Sequence, residues 1–253
     1  MDSQFGLSHV WSQGDFVIRG VAVLLLVMSL ASWLVILTKA VDIVRSKKFA
    51  RRADDFWHSE DFATGLAKLG ENDDNPFRNL ALDGREAAAH HRNTKAHLHD
   101  SLDASDWITR SLRNGIDETT ARLQSGLAIL ASVGSTAPFI GLFGTVWGIY
   151  HALMSIGTAG QATIDKVAGP IGEALIMTAL GLVVAVPAVL AYNWLQRRNK
   201  SISEDLSAFS NDVLGFLASN GAVRPTHGPA AATKAPVKPT TTAGQTGGVP
   251  RAN

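Results

Sequence analysis

Glu173 is the side chain in this sequence best placed to do chemistry, because it is the only charge in the apolar run Val167–Gln196. A carboxylate in hydrocarbon costs about 2.5 to 3.5 kcal/mol on the insertion scale for an aspartate, so it should face a bundle interior or a water-filled path. Burial there favours the protonated form, and the group can then hold a proton near neutrality, as a proton pathway requires. The competing reading is a polar group satisfied by neighbouring helices, or a carboxylate close enough to an interface to hydrate. Thr145 and Thr178, in the apolar runs on either side of the segment 157–166, offer hydroxyls that both donate and accept, which suits the wall of a proton or water path. Each alone is more often satisfied by its own helix. Elsewhere the chain offers little reactive chemistry. It has no cysteine, which excludes disulfides, thiolate metal sites and a cysteine nucleophile. The His90–His91 pair has no regular ligand spacing and reads as solvated surface, so neither a metal nor a cofactor is expected. No nucleophile–base pair or phosphate loop is present, so the chain is not expected to be an enzyme.

These residues need elements to hold them. Of 253 residues, 46% are hydrophobic and 18% charged, and the mean hydropathy of +0.10 belongs to a membrane protein in contact with the lipid bilayer. A net charge of +1, with no arginine–aromatic interleaving, excludes nucleic acid as a partner. The run 20–38, between Arg19 and Lys39, is long enough for a first span. Asp2 and Asp15 precede it, basic residues follow it, and it is too long for the apolar core of a signal peptide. Leu123–Ile164 contains no charge, with a second span at 127–156, and the third span is 167–196. Lys39, Arg45, Lys47, Lys48, Arg51 and Arg52 follow the first span, and Arg197, Arg198 and Lys200 follow the third. The segment between the second and third carries only Asp165 and Lys166. The positive-inside rule then places the N-terminus outside and the C-terminus in the cytoplasm.

The expected organisation is a periplasmic segment 1–19, the first span, a cytoplasmic helical domain 39–126, the second span, a periplasmic loop 157–166, the third span, a cytoplasmic helix 197–219 and a disordered basic cytoplasmic tail 220–253. Leu98, Leu102, Ile108, Leu112, Ile116, Leu123, Leu127 and Leu130 recur mostly at helical spacing, which predicts one helix running from the cytoplasmic domain straight into the second span. Ile202, Leu206, Phe209, Val213 and Phe216 form a second seam that needs a neighbouring helix. The fold class is therefore all-α: three transmembrane helices with long cytoplasmic helical extensions, assembling as a homo-oligomeric bundle. Gly141, Gly144, Gly148, Gly172 and Gly181 are small enough for the spanning helices to pack closely. Counted from the outer ends, Thr145 and Thr178 both lie roughly 16 Å deep and should form one polar layer. Glu173 sits about 7 Å nearer the outside and points roughly 140° away from Thr178 on an ideal helix.

Gly134–Tyr150 (GSTAPFIGLFGTVWGIY) and Ala168–Tyr192 (AGPIGEALIMTALGLVVAVPAVLAY) resemble the second and third spans of the ExbB/TolQ/MotA proton-channel family. GLFGTVWGI and GEALxxTAxGL are long and specific strings, and with the span order the likeness covers most of residues 1–217. The nearest branch is ExbB, whose relatives form a pentamer in the bacterial inner membrane around the helices of ExbD and drive TonB. The resemblance implies conversion of proton flow into motion of TonB, energising uptake of siderophores and vitamin B12 at the outer membrane. It also implies that Thr145, Glu173 and Thr178 line the pore. The cycling aspartate of such systems belongs to the ExbD-like partner, and no span of this sequence contains one. A TolQ-like role in the Tol-Pal envelope system and a non-conducting scaffold are the alternatives.

Overall fold

A computed structural model describes residues 15–93, 104–159, 164–219 and 221–222, and among them every regular element is an α-helix. The expected tail beyond residue 222, the first fourteen residues, and Leu98 and Leu102 of the first seam lie outside the described residues. In chain order the helices are α1 (Phe16–Trp57), α2 (Phe62–Leu69), α3 (Pro76–Asn93), α4 (Ala104–Gln124), α5 (Leu127–Ala159) and α6 (Ile164–Ala218). Three helical stretches, in α1, α5 and α6, are long and apolar enough to cross a membrane.

Two of these helices extend far beyond the hydrocarbon. α1 has 42 residues and α6 has 55, about 63 and 83 Å of helix, against a hydrocarbon core of about 30 Å. No glycine or proline interrupts α1 after Gly20, so nothing in its sequence ends the helix at the membrane edge. Asp15 caps it, its Oδ1 accepting the Phe16 N–H at 2.7 Å. Within the spanning part, Ser32 returns its hydroxyl to the Met28 carbonyl at 2.9 Å, which satisfies a polar group where water is absent.

The continuous helix expected from the cytoplasmic domain into the second span is instead broken. α4 stops at Gln124 and α5 starts at Leu127, because Gly126 takes φ +82° and turns the chain out of the helix. The seam itself persists on both sides: Ile108, Leu112, Leu123, Leu127 and Leu130 are all buried. The break leaves carbonyls of the last turn of α4 without helical partners. Lys39 Nζ of α1 donates to the Arg122 carbonyl at 2.8 Å and to Ser125 Oγ at 3.0 Å, and Asn199 Nδ2 of α6 donates to the Leu123 carbonyl at 2.7 Å. A cation at a helix C-terminus also complements its dipole. Both long helices thus grip the end of α4 where the chain enters the second span.

Outside the membrane, α1 to α4 pack around the distal half of α6. Ile202, Leu206, Phe209 and Val213 of the second seam are buried. Phe209 touches the rings of Phe56 (5.5 Å), Trp57 (5.8 Å) and Phe77 (5.4 Å), so one α6 side chain joins α1 and α3. Asn75 is fully buried. Its Nδ2 donates to the Leu69 carbonyl at 2.9 Å, and its Oδ1 accepts the Phe77 N–H at 3.1 Å, with Pro76 at the first helical position of α3.

Phe209→Ala should destabilise the chain by about 3 to 5 kcal/mol, read as a lowered thermal midpoint in detergent. Burial, then Glu86 and Glu118, hold the Asp83 carboxyl above its ordinary value. The folded chain therefore binds this proton more tightly than the unfolded chain, and its contribution to stability declines as pH rises from about 4 through the raised value. Asp83→Asn should remove that slope and raise the midpoint near pH 7; a midpoint unchanged by the substitution across the range would contradict the account.

Candidate functional site

The spanning parts of α5 and α6 run antiparallel, and their contact is made by small residues at three- and four-residue spacing. Gly141 and Gly181 face each other. A Cβ on Gly141 would stand 2.6 Å from the Met177 carbonyl oxygen, and one on Gly181 would stand 2.7 Å from that of Ala137. Neither backbone position has room for a methyl group. Further along, a Cβ on Gly148 would meet Ala174 Cβ at 2.8 Å, and one on Gly144 would meet both Met177 (3.1 Å) and Val21 of α1 (3.2 Å). Gly144 is therefore where all three spanning helices meet. Gly172 differs: nothing lies within 4 Å of the position its Cβ would take.

This close approach brings Thr145 and Thr178 together. Thr145 is 6% exposed, and its Oγ1 is hydrogen-bonded to Thr178 Oγ1 across the helix interface. The same oxygen lies 3.0 Å from the Ala174 carbonyl of α6 and 3.2 Å from the Gly141 carbonyl of its own helix. A hydroxyl has one proton to give. Both groups are satisfied when Thr178 donates to Thr145 and Thr145 donates to Ala174. The arrangement is a short chain of hydroxyls ending on a backbone carbonyl, buried in a region that the apolar length of these helices places inside the bilayer.

Glu173 lies on α6 immediately before Ala174, whose carbonyl receives the Thr145 hydroxyl; its side chain is outside the described residues. The side chains of His90 and His91 are likewise outside them, on a stretch of α3 that is helical.

A second polar constellation has no counterpart in the spacing of the sequence. Asp15 Oδ2, at the start of α1, accepts a hydrogen bond from Trp147 Nε1 at 3.2 Å and pairs with His151 Nε2 at 3.4 Å. The hydrogen bond from Trp147 is the chief cause holding the Asp15 carboxyl below its usual range. Trp147 and His151 are four residues apart on α5, so one helix face presents both donors to the cap of another. The signal available in sequence was an aspartate just before an apolar helix. Its partner, some 130 residues away, could not be read locally.

Residues 81–208 match the model of the MotA/TolQ/ExbB proton channel family. The chain belongs to that family. It is 41% identical over 233 residues to the biopolymer transport protein ExbB of Xanthomonas campestris pv. campestris, an alignment covering 88% of this chain and 92% of that protein. The ExbB protein of Neisseria meningitidis is 41% identical over 212 residues, covering 82% of this chain and 94% of its own length. The Tol-Pal system protein TolQ of Haemophilus influenzae is 35% identical over 222 residues, covering 86% and 96%. Residues 81–208 include Thr145, Glu173, Thr178 and the whole α5–α6 glycine contact.

Gly141→Ala and Gly181→Ala should each force the two backbones apart and cost about 1 to 3 kcal/mol, lowering the thermal midpoint in detergent. Gly172→Ala, with open space around it, should leave that midpoint unchanged.

Proposed function

We propose that this chain is the channel subunit of a proton-driven motor of the ExbB type in the bacterial inner membrane. It works as a homo-oligomer, a pentamer by resemblance, around an ExbD-like partner, and drives TonB to energise siderophore and vitamin B12 uptake across the outer membrane. The observation that carries the reading is the hydrogen-bonded Thr145–Thr178 pair in the membrane part of a chain that matches a proton channel family. Hydroxyls can pass a proton along by rotating, but they do not store one. Glu173 is the one side chain of the third span that can hold a charge. No span contains an aspartate, so the group that cycles its proton is supplied by the partner, and Glu173 acts as a polar wall or gate. Basic residues after the first and third spans put the Asp15–Trp147–His151 cluster on the periplasmic side and the α1–α4 bundle in the cytoplasm.

The likeness to TolQ supports a second reading, a subunit of an envelope-maintenance system. The identity to the ExbB proteins of Xanthomonas campestris and Neisseria meningitidis, 41% against 35% for the TolQ of Haemophilus influenzae, favours the first. The two separate in cells: loss of the chain should abolish siderophore-dependent growth under the first reading and leave it intact under the second.

Proton flux into vesicles holding the chain and an ExbD-like subunit should fall about tenfold, a barrier increase of ~1.4 kcal/mol, with Glu173→Ala or Thr178→Val, and siderophore uptake should fall with it. Unchanged flux and uptake in both variants would sink the role given to these residues. If the chain were only a scaffold, the same substitutions would disrupt assembly; intact complexes that have lost uptake rule that out.

A further inference from the structure

Outside the membrane, α1 and α6 leave a groove between them. Its volume is about 190 Å³. Ala50, Ala53 and Ala208 contribute only methyl groups to its lining, whereas Trp57, Phe77 and Phe209 form aromatic walls. Asp54, Asp205 and Asp212 also line it, against one cation, Arg51. No ion pair among the described residues involves any of the three carboxylates. Burial is the chief cause holding all three above their ordinary range; Glu204 and then Asp54 add to it at Asp205, while at Asp54 the neighbouring Asp55 adds to it and His58 opposes it. A groove with aromatic walls and unpaired carboxylates suits a lysine or arginine side chain, whose stem lies on the rings while its charge meets the acids.

The source of such a side chain is close. Residues 220–253 carry Arg224, Lys234, Lys238 and Arg251 and no acidic residue. The chain leaves α6 beside the groove. Gly221 takes φ +85° and donates its N–H to the Phe216 carbonyl at 2.8 Å, the helix-ending turn that bends a chain off the axis. A Cβ on Gly221 would stand 3.5 Å from the Phe216 ring, which lies 6.2 Å from that of Trp57 at the wall of the groove. Asp212 is about 9 Å and Asp205 about 20 Å back along α6 from Ala218. An extended chain covers about 3.3 Å per residue, so Lys234 can reach about 40 Å from Ala222.

We propose that this groove is the docking site of the chain's own basic segment Arg224–Lys238, held by Asp54, Asp205 and Asp212. A bound segment would cover the face that α1 and α6 share, at the distal end of the two helices that also cross the membrane.

The chain has no cysteine, so an introduced pair reports directly. Full-length chain carrying Ala208→Cys and Thr233→Cys, in membranes with its partner subunit, should form a disulfide-closed product of monomer mass on mild oxidation. Its yield should drop about fivefold, the loss of roughly 1 kcal/mol of pairing, when Asp54, Asp205 and Asp212 are all changed to Asn. The same drop is expected with Lys234→Ala plus Lys238→Ala, a variant that leaves every described residue intact. Tryptic cleavage after Lys234 should accelerate with the Asn substitutions. A covalent dimer as the main product would mean that the groove takes the segment of a second copy and would overturn the proposal. So would a yield indifferent to both sets of substitutions, as expected of a segment lying on anionic lipid.

Discussion

Where Gly141 faces Gly181, two helix backbones pass so close that a single methyl on either would strike a carbonyl oxygen of the other helix. In hydrocarbon no hydrophobic effect draws helices together, since lipid is as apolar as the side chains it would replace. Association there rests on close van der Waals contact and on hydrogen bonds that have no competition from water. The glycines provide the first, and their approach permits the second: Thr145 reaches the Ala174 carbonyl of the neighbouring helix only because nothing larger than hydrogen separates the axes one turn away. Gly144 admits Val21 of α1 into the same contact. The polar pair, the antiparallel packing and the seat of the first helix all depend on that one absence of side chains.

Beyond the membrane the balance of forces reverses. Water makes apolar burial favourable again, and the same helices that meet through glycine inside the bilayer meet through Phe56, Trp57, Phe77 and Phe209 outside it. The change of regime is marked by the end of α4, where Lys39 and Asn199 bind carbonyls that the helix no longer satisfies. α1 and α6 pass through both regimes without a break. A displacement of either helix in the membrane therefore has to be accommodated in the aromatic core as well, because a close-packed interior yields in discrete rearrangements rather than smoothly.

The parts legible in sequence were those written in local pattern. Apolar length revealed the spanning helices, and three–four spacing revealed which faces of α4 and α6 would be buried, because both follow from helix geometry alone. Counting residues from the span ends put Thr145 and Thr178 at one depth, and their contact follows from that depth together with the glycines. The break at Ser125–Gly126 was missed because the apolar seam continues across it: periodicity records which face is buried, not whether the backbone turns between one buried residue and the next. A glycine at the edge of an uncharged run was the available signal. Asp15 with Trp147, and Asn199 with Leu123, join residues far apart in the chain, and no local pattern carries such pairs.

Thr145 is 6% exposed and closed on its sides by Gly141, Ala174 and Thr178. Thr178 is only half-buried, so of the two hydroxyls it is the one with access to the outer face of α6. Between 22% and 33% of each spanning stretch is buried within the chain, and large apolar side chains such as Leu142, Phe143, Val183 and Val186 face outward from α5 and α6. On the channel reading, protons cannot run through the middle of one chain and must pass along a surface that this chain presents to something else. Lipid offers a proton no partner. On that same reading, the surface beside Thr178 would conduct only when other protein covers it, and the hydroxyl pair would be the fixed wall of a path whose remaining sides are brought by further subunits.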